Sequence, residues 1–433
     1  MTTRTAENVA NTVQPLLSEM LTGPPPLRID FWDGSAIGPE DSIGTIRLNS
    51  PDALRRAIWS PNHLGFARAF VAGDIDAIGP LDEILRSMQQ AVKQDKPAPQ
   101  RLVGPAYRAA RELDLLGRQP DTPPEEIVPR GVRHSIGRDK QVVGHHYDVG
   151  NRFYELVLGP SMTYSCARFV DDEATLEQAQ ASKHDHIARK LGLAEASFRS
   201  ACPGPRPRLL DVGCGWGSMA IHAATTYDVD VVGVTISDEQ ADYARRRVAD
   251  LELEDRIEIR IQDYRLVADG PFDAISSIGM AEHVGRKRMV EYFRSVHRQV
   301  RPGGRILNHA IASMGGARLG RRSFMARYVF PDGELLDLAT TIASMESAGF
   351  EIRDVENLRE HYARTLRCWV ANLEENWDAA VGEVGERRAR VWRLYMSGCI
   401  NGFNDGGFEL QQTLGVKSDG QPSGFPPTRA GWT

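Results

Sequence analysis

The sequence predicts an α/β protein: a parallel sheet wound with helices on both faces, preceded by a smaller mixed α/β unit. Three observations carry this. From about residue 141 to 415, short apolar runs alternate with longer helical patterns, the rhythm of repeated βαβ units. One of those runs, PRLLDVG, ends in glycine where a strand passes into a helix. Finally, 433 residues exceed a single domain at roughly 150 residues each.

In chain order, residues 1–117 form the small unit. Val9, Val13, Leu16, Leu17 and Met20 recur at helical spacing. LRIDFWDGSAIG alternates as a strand entering a turn at Asp33-Gly34, SIGTIRLNS reads as a second strand, and DALRRAIW and LDEILRSMQQAVKQ are helical. No recognisable chemistry lies there. Residues 118–140 cluster prolines and charges and read as a linker. Residues 416–433, rich in Gly, Pro and Ser, are expected to be a flexible tail. Between linker and tail, PRLLDVG, VDVVGVT, RIEIRI, FDAISSI and GRILNHAI are the strands. SMAIHAAT, Ser237–Asp250 and EYFRSVHRQV are helices, the last stopping before Pro302-Gly303-Gly304. There is no internal repeat.

Composition removes several classes. Hydrophobic residues at 41% and charged residues at 25% exclude a disordered chain. Lys+Arg 52 against Asp+Glu 58 leaves a net charge of -6, which argues against a nucleic-acid partner. Five cysteines without CxxC spacing predict neither a disulfide framework nor a structural zinc site. The N-terminus lacks the apolar core of a secretory signal, and no run of about eighteen apolar residues exists to span a bilayer. A cytoplasmic protein is expected.

The first motif with chemistry is Asp211-Val-Gly-Cys-Gly-Trp-Gly217. Glycines at 213, 215 and 217 allow a sharp turn and close ligand approach beyond a strand's carboxyl end. Tight helix–strand packing without a ligand is the bland alternative. The spacing is GxGxG with an acid before it, the form typical of S-adenosylmethionine sites. The acid usual at the tip of the second strand is missing from Val234-Thr235-Ile236-Ser237.

Other segments resolve that gap, because the chain resembles the cyclopropane-fatty-acyl-phospholipid synthases and the related mycolic acid cyclopropane synthases. The resembling pieces are HHYDVGNRFYELVLGPSMTYSCARF (145–169), LLDVGCGWG (209–217), GVTISDEQ (233–240) and QDYR (262–265). GMAEHVG (279–285), LNHAIAS (307–313), YVFPDGEL (328–335) and ENLREHYARTL (356–366) complete the ordered set. VTIS followed by Gln240 is this family's own second-strand tip. The resemblance implies a Rossmann-like class I methyltransferase core. It also implies methyl transfer from S-adenosylmethionine to a cis double bond of a lipid acyl chain, followed by proton loss that usually closes a cyclopropane ring. Cofactor contacts carry over to Tyr164, Ser165, Gly213, Gly215, Thr235, Gln240, Gln262 and Asp263. A bicarbonate ion acting as the base carries over to a cage of Cys166, Glu282, His309, Ile311 and Tyr362. The N-terminal unit is linked in the family to dimerisation and lipid engagement.

Physical chemistry agrees with such a cage. An alkene is a feeble nucleophile and must be held in line with the methyl at near-contact distance. A cation on the chain needs shielding from water. His309 and Tyr362 carry donors for a small oxyanion, and Glu282 can orient it by accepting. Each residue also has a bland reading: Cys166 a buried thiol, His309 a satisfied core histidine, Glu282-His283 a helix cap, Tyr362 a packed helix residue. His145, His146 and Asp148 suggest a metal pair, but adjacent histidines in an extended segment point apart. An ordering role near the substrate mouth suits them better, and no metal is expected. Arg318, Arg321, Arg322 and Arg327, interleaved with Leu319, Phe324 and Met325, suit anionic headgroups with shallow insertion, or a basic loop over the site.

The resulting expectation is a homodimeric enzyme docked peripherally on the inner face of the membrane. It would act on an unsaturated phospholipid acyl chain to give a cyclopropane. The same methylation could instead end in a 10-methylene product. Rival readings are an N- or O-methyltransferase of a soluble small molecule and a non-catalytic lipid-binding protein.

Overall fold

The computed structural model describes residues 8–92, 99–127, 150–318, 320, 323–331, 333–418, 420 and 425–432. The chain divides into two compact units. One combines residues 1–128 with 321–329 and 385–401, and the other holds 129–320, 330–384 and 402–433.

In the first unit, α1 (Val9–Met20) starts at Asn8, whose side chain accepts from the Asn11 N–H. Strands β1 (Arg28–Asp30), β2 (Ala36–Ile37), β3 (Thr45–Leu48) and β4 (Ile75–Ile78) form a sheet in the order β2-β1-β3-β4. Helices α2 (Asp52–Trp59), α3 (His63–Ala72), α4 (Leu81–Ala91) and α5 (Pro99–Glu112) accompany it. Leu27, Phe31, Phe70 and Ile84 form its core, joined by Leu394 from the third segment.

That contribution corrects the expected continuous domain 141–415. The strands here have only two to four residues, too little apolar surface to close a core alone. Arg390 pairs with Asp76 at 2.6 Å. The linker expectation changes too. The Glu126 side chain is only 5% exposed and takes two hydrogen bonds from Arg68, at 2.8 and 2.9 Å, with Arg327 at 3.5 Å. Phe324 packs on this unit's core. Arg327 and Phe324 are therefore committed to internal contacts rather than to headgroups. Residues 128–140, His145, His146, Asp148, Leu319, Arg321, Arg322 and the Arg318 side chain lie outside the described residues.

The second unit holds α6 (Asn151–Leu158) and is built on a seven-stranded sheet. Strands β5 (Arg208–Val212), β6 (Asp230–Thr235), β7 (Ile257–Ile261), β8 (Phe272–Ile278) and β9 (Val300–Ala312) are mutually parallel. A short pair, β10 (Ala317–Arg318) and β11 (Glu334–Leu335), precedes β12 (Phe350–Asn357) and β13 (Glu409–Lys417), which complete the large sheet antiparallel. The order is β12-β13-β9-β8-β5-β6-β7. This is the Rossmann-like α/β architecture expected from the sequence.

Successive strand residues feed two different cores, as a side-chain period of two requires. Leu209, Val231 and Leu307 pack with α7 (Leu176–Lys190), α8 (Ser218–Tyr227) and α9 (Asp238–Asp250). Leu210, Val232 and Ile306 pack with α11 (Met289–Gln299), which follows the short α10 (Ala281–Val284), and with α12 (Leu338–Ser347).

The supposed tail differs from expectation. Val416 and Lys417 finish β13, and Trp432 is buried in the α7-side core with its backbone oxygen 2.9 Å from His186 Nδ1. An indole has more apolar surface to bury than a Gly- and Pro-rich stretch loses in ordering entropy at one anchored point. Trp432→Ala is expected to lower unfolding free energy by about 3 kcal/mol in urea titration. An unchanged midpoint would show the anchor to be idle.

Candidate active site

Strands β5 and β8 run parallel side by side, with Val212 opposite Ser277. The chain leaves β5 toward β6 and β7 on one side and continues from β8 to β9 on the other. Such a switch point opens a crevice at the carboxyl ends of the strands. The loop after β5 lies there, with φ of 75°, 53° and 83° at Gly213, Gly215 and Gly217. The Gly213 and Cys214 N–H groups donate to the Val234 oxygen at 2.9 and 3.0 Å, pinning the loop to β6. A Cβ on Gly213 would lie 2.5 Å from Met280 Sδ, whereas one on Gly215 would meet nothing within 4 Å. Gly213 is needed for packing, and Gly215 faces open space.

The expected cofactor positions on and after β6 and β7 adjoin this loop through Val234 and Thr235. Thr235 Oγ1, at the end of β6, donates to Gln240 Oε1 at 3.0 Å, and the Ser237 hydroxyl caps α9. The Gln262 N–H donates to the Thr235 oxygen. Asp263 is opposed by burial, yet Arg265, bonding through its backbone N–H and its guanidinium, holds the carboxyl below its usual range. Tyr164 lies between Tyr154 and Trp369, with ring centroids 5.7 and 5.3 Å away. Ser165 is buried, and its hydroxyl accepts from Lys183 Nζ at 2.9 Å. The loop and these strand tips are thus one neighbourhood linked by hydrogen bonds.

A second cluster joins the ends of β8, β9 and β13 with the start of α13 (Arg359–Glu375). Glu282, on α10, accepts from the Ile311 N–H at 2.7 Å through Oε1. Ile311 thereby fixes the carboxylate, and Glu282 is no helix cap. His309 and Ile311 share one face of β9. Leu410 pairs with Ile311 across the sheet and accepts from the Leu358 N–H. Leu358 in turn accepts from the Tyr362 N–H and lies 3.7 Å, through its oxygen, from Cys166 Sγ. Cys166, Tyr362, Ile311 and Glu282 are thus linked in series through Leu358 and Leu410, and His309 lies two residues from Ile311 on β9. Tyr362 packs its ring on Phe403 and Trp369.

The electrostatics are those of a dry site. Burial lifts the Glu282 carboxyl to about 7, partly countered by the Ile311 N–H. Burial, reinforced by Lys183 and Lys190, holds His309 well below its ordinary value and hence neutral. Burial also drives the Cys166 thiol far up, so it stays protonated. Among the buried side-chain polar atoms without a partner in the described residues are two from the expected cage, Glu282 Oε2 and His309 Nε2.

Several buried polar residues were not expected. Helix α7 buries Gln180, Lys183, His184, His186 and Lys190. Burial pushes the Lys183 ammonium down to about 7, against the pull of Cys166 and Asp211. Asp211, raised by burial to about 6, accepts from the Ser276 hydroxyl at 2.6 Å. Gln180, Lys183, Ile187 and Lys190 recur every three to four residues of QAQASKHDHIARK. A helical stripe that carries charges where apolar residues belong is the signal that could have marked them.

The family model for mycolic acid cyclopropane synthetase matches residues 134–413. The chain belongs to the mycolic acid cyclopropane synthetase family. As a member of that family it is an S-adenosylmethionine-dependent methyltransferase of the lipid-modifying, cyclopropane-synthase kind. It is 41% identical over 427 residues to a probable fatty acid methyltransferase of Mycobacterium tuberculosis, covering 95% of this chain and 96% of that one. It is 37% identical over 274 residues to the cyclopropane-fatty-acyl-phospholipid synthase of Escherichia coli, covering 63% and 67%. The mycolic acid cyclopropane synthase CmaA1, solved with SAH and CTAB, superposes with a TM-score of 0.58 at 33% identity. That match covers 64% of this chain and 98% of the other.

Proposed function

We propose that the protein methylates a cis double bond in an unsaturated phospholipid acyl chain and removes a proton through a bicarbonate ion, giving a cyclopropane. The observation that carries this reading is the pair of unpartnered buried atoms, Glu282 Oε2 and His309 Nε2. An acceptor and a donor left bare in an apolar interior cost several kcal/mol together, roughly 1–3 each, and fit a small ion that both accepts and donates. Bound S-adenosylmethionine supplies an electrophilic methyl, and bound bicarbonate supplies a base that leaves with its proton.

The chain's own residues do the rest. Gly215 leaves backbone space for the cofactor, while Tyr164, Ser165, Gly213, Thr235, Gln240, Gln262 and Asp263 shape its crevice. Glu282 accepts, His309 donates through Nε2, Tyr362 offers a hydroxyl, and the protonated Cys166 cannot compete for the methyl. Ile311 orients Glu282. Burial at Glu282, His309 and Cys166, 8%, 1% and 0% exposed, excludes water that would quench a cation.

The 10-methylene product would need the same cofactor, cation and base, and the labelled acyl chain distinguishes it from the ring. Docking on the inner face of the membrane and homodimerisation belong to the same proposal; no helix among the described residues is long and apolar enough to cross a bilayer.

Calorimetric titration with S-adenosylmethionine, followed by incubation with oleoyl phosphatidylglycerol vesicles and methyl-labelled cofactor, tests the reading. Saturable binding and label in the acyl chain are expected. Label in a soluble amine or alcohol with lipid untouched would replace it with heteroatom methylation. Binding without any turnover would leave a lipid-binding protein.

A further inference from the structure

His309 is one end of a buried hydrogen-bond chain that the cage itself does not need. Gln412, on β13, stands directly opposite His309 across the β9–β13 ladder, so both side chains lie on one face of the sheet. Gln412 Nε2 is 3.3 Å from His309 Nδ1, and Gln412 Oε1 is 3.0 Å from Lys190 Nζ. Lys190 also contacts Glu356 Oε2 at 2.5 Å and Asp354 Oδ2 at 3.0 Å. His309, Gln412 and Lys190 are at most 1% exposed.

The directions of these bonds are determined without seeing a hydrogen. A lysine ammonium has three donors and no acceptor, and three oxygens surround Lys190. Gln412 must therefore turn its oxygen to Lys190 and its amide NH2 to His309. His309 Nδ1 then accepts, and a neutral imidazole with Nδ1 accepting carries its proton on Nε2. Nε2 is the ring atom left without a partner.

We infer that Gln412, oriented by Lys190, is a positioning residue that locks His309 in the Nε2–H tautomer, so that the imidazole presents a donor to the oxyanion site. The inference rests on the proposed reading of that site as an anion cage. Glu356, bonded at once to Lys190 and to His186 Nε2 at 2.6 Å, anchors the far end of the chain. Reversing the amide would set its NH2 against the ammonium and leave His309 to turn its bare nitrogen toward the anion.

The test combines an activity-free readout with kinetics. Long-range 1H–15N spectra of protein labelled in histidine, with His309 assigned by comparison with His309→Asn, report the tautomer directly. The wild type is expected to show the Nε2–H pattern. Gln412→Glu, an acceptor facing both neighbours, is expected to move a proton onto Nδ1. It should lower kcat at least about 10²-fold, with KM and cofactor Kd held within about twofold. A wild-type Nδ1–H pattern would overturn the inference even if the variant failed to fold. So would a Gln412→Glu protein with unchanged tautomer and kcat. A tautomer that switches as stated in a protein that leaves lipid unmethylated would uphold the lock while removing the acyl reading.

Discussion

Glu282→Gln is expected to abolish turnover, by at least about 10²-fold, while changing cofactor affinity by no more than about twofold. The carboxylate lies in the cluster at the end of β8, where it accepts from the Ile311 N–H. A glutamine keeps size and can still accept that bond. It loses the charge and presents an amide where an oxygen should accept from the ion. The same substitution carries a thermodynamic signature. Burial raises the Glu282 carboxyl from 4.5 to about 7 in the folded protein. The fold therefore binds a proton that the unfolded chain releases, and stability falls as pH rises from 4.5 through 7. By pH 8 the penalty is on the order of 3 kcal/mol. Gln carries no such penalty, so urea unfolding should show the variant gaining stability over wild type at pH 8 and gaining almost none at pH 5. Equal shifts at both pH values would mean that Glu282 is ionised without cost, and wild-type turnover would remove it from the cage.

Gly215→Val is the complementary experiment on the cofactor. Its φ of 53° is uncomfortable for a β-branched residue, at a cost of about 1–2 kcal/mol. Within the chain, nothing stands within 4 Å of the added Cβ. If that space is where the cofactor backbone approach occurs, calorimetry should show affinity for S-adenosylmethionine falling at least about 10²-fold. Gly73→Val is the control: its φ is 83°, it too has nothing within 4 Å, and it lies in the first unit. It should show similar strain and unchanged affinity. Equal affinity in the two variants would place the cofactor elsewhere.

Much of this was legible from residue order. Strands of the second unit announce themselves because both faces are buried, leaving continuous apolar runs such as VDVVGVT, and the glycine loop because only glycine tolerates its backbone. The polar face of α7 was not. Lys183 and Lys190 are buried against hydropathy because their partners come from far along the chain, Gln412 being 222 residues from Lys190. Local pattern carries no record of such pairing. For the same reason Leu394 and Phe324 could not be assigned to a core by spacing: an apolar stripe specifies that it is buried, not against which unit. Trp432 shows the converse, one large apolar side chain overriding a composition that otherwise reads as loose. Cys166, Glu282, His309 and Tyr362 were found by resemblance. The register of β9 against β13, which sets His309 opposite Gln412 and Ile311 opposite Leu410, comes from long-range pairing that residue order does not record.

In the proposed reaction a carbon of a fatty chain receives the methyl group, and one hydrogen of that same methyl is then lost. The most direct measurement uses trideuteromethyl S-adenosylmethionine with oleoyl phosphatidylglycerol vesicles and mass spectrometry of the released acyl chains. The expected product carries two of the three deuteriums, whether it closes to a ring or ends as a methylene. An acyl chain retaining all three, or label found only on nitrogen or oxygen, would contradict the account.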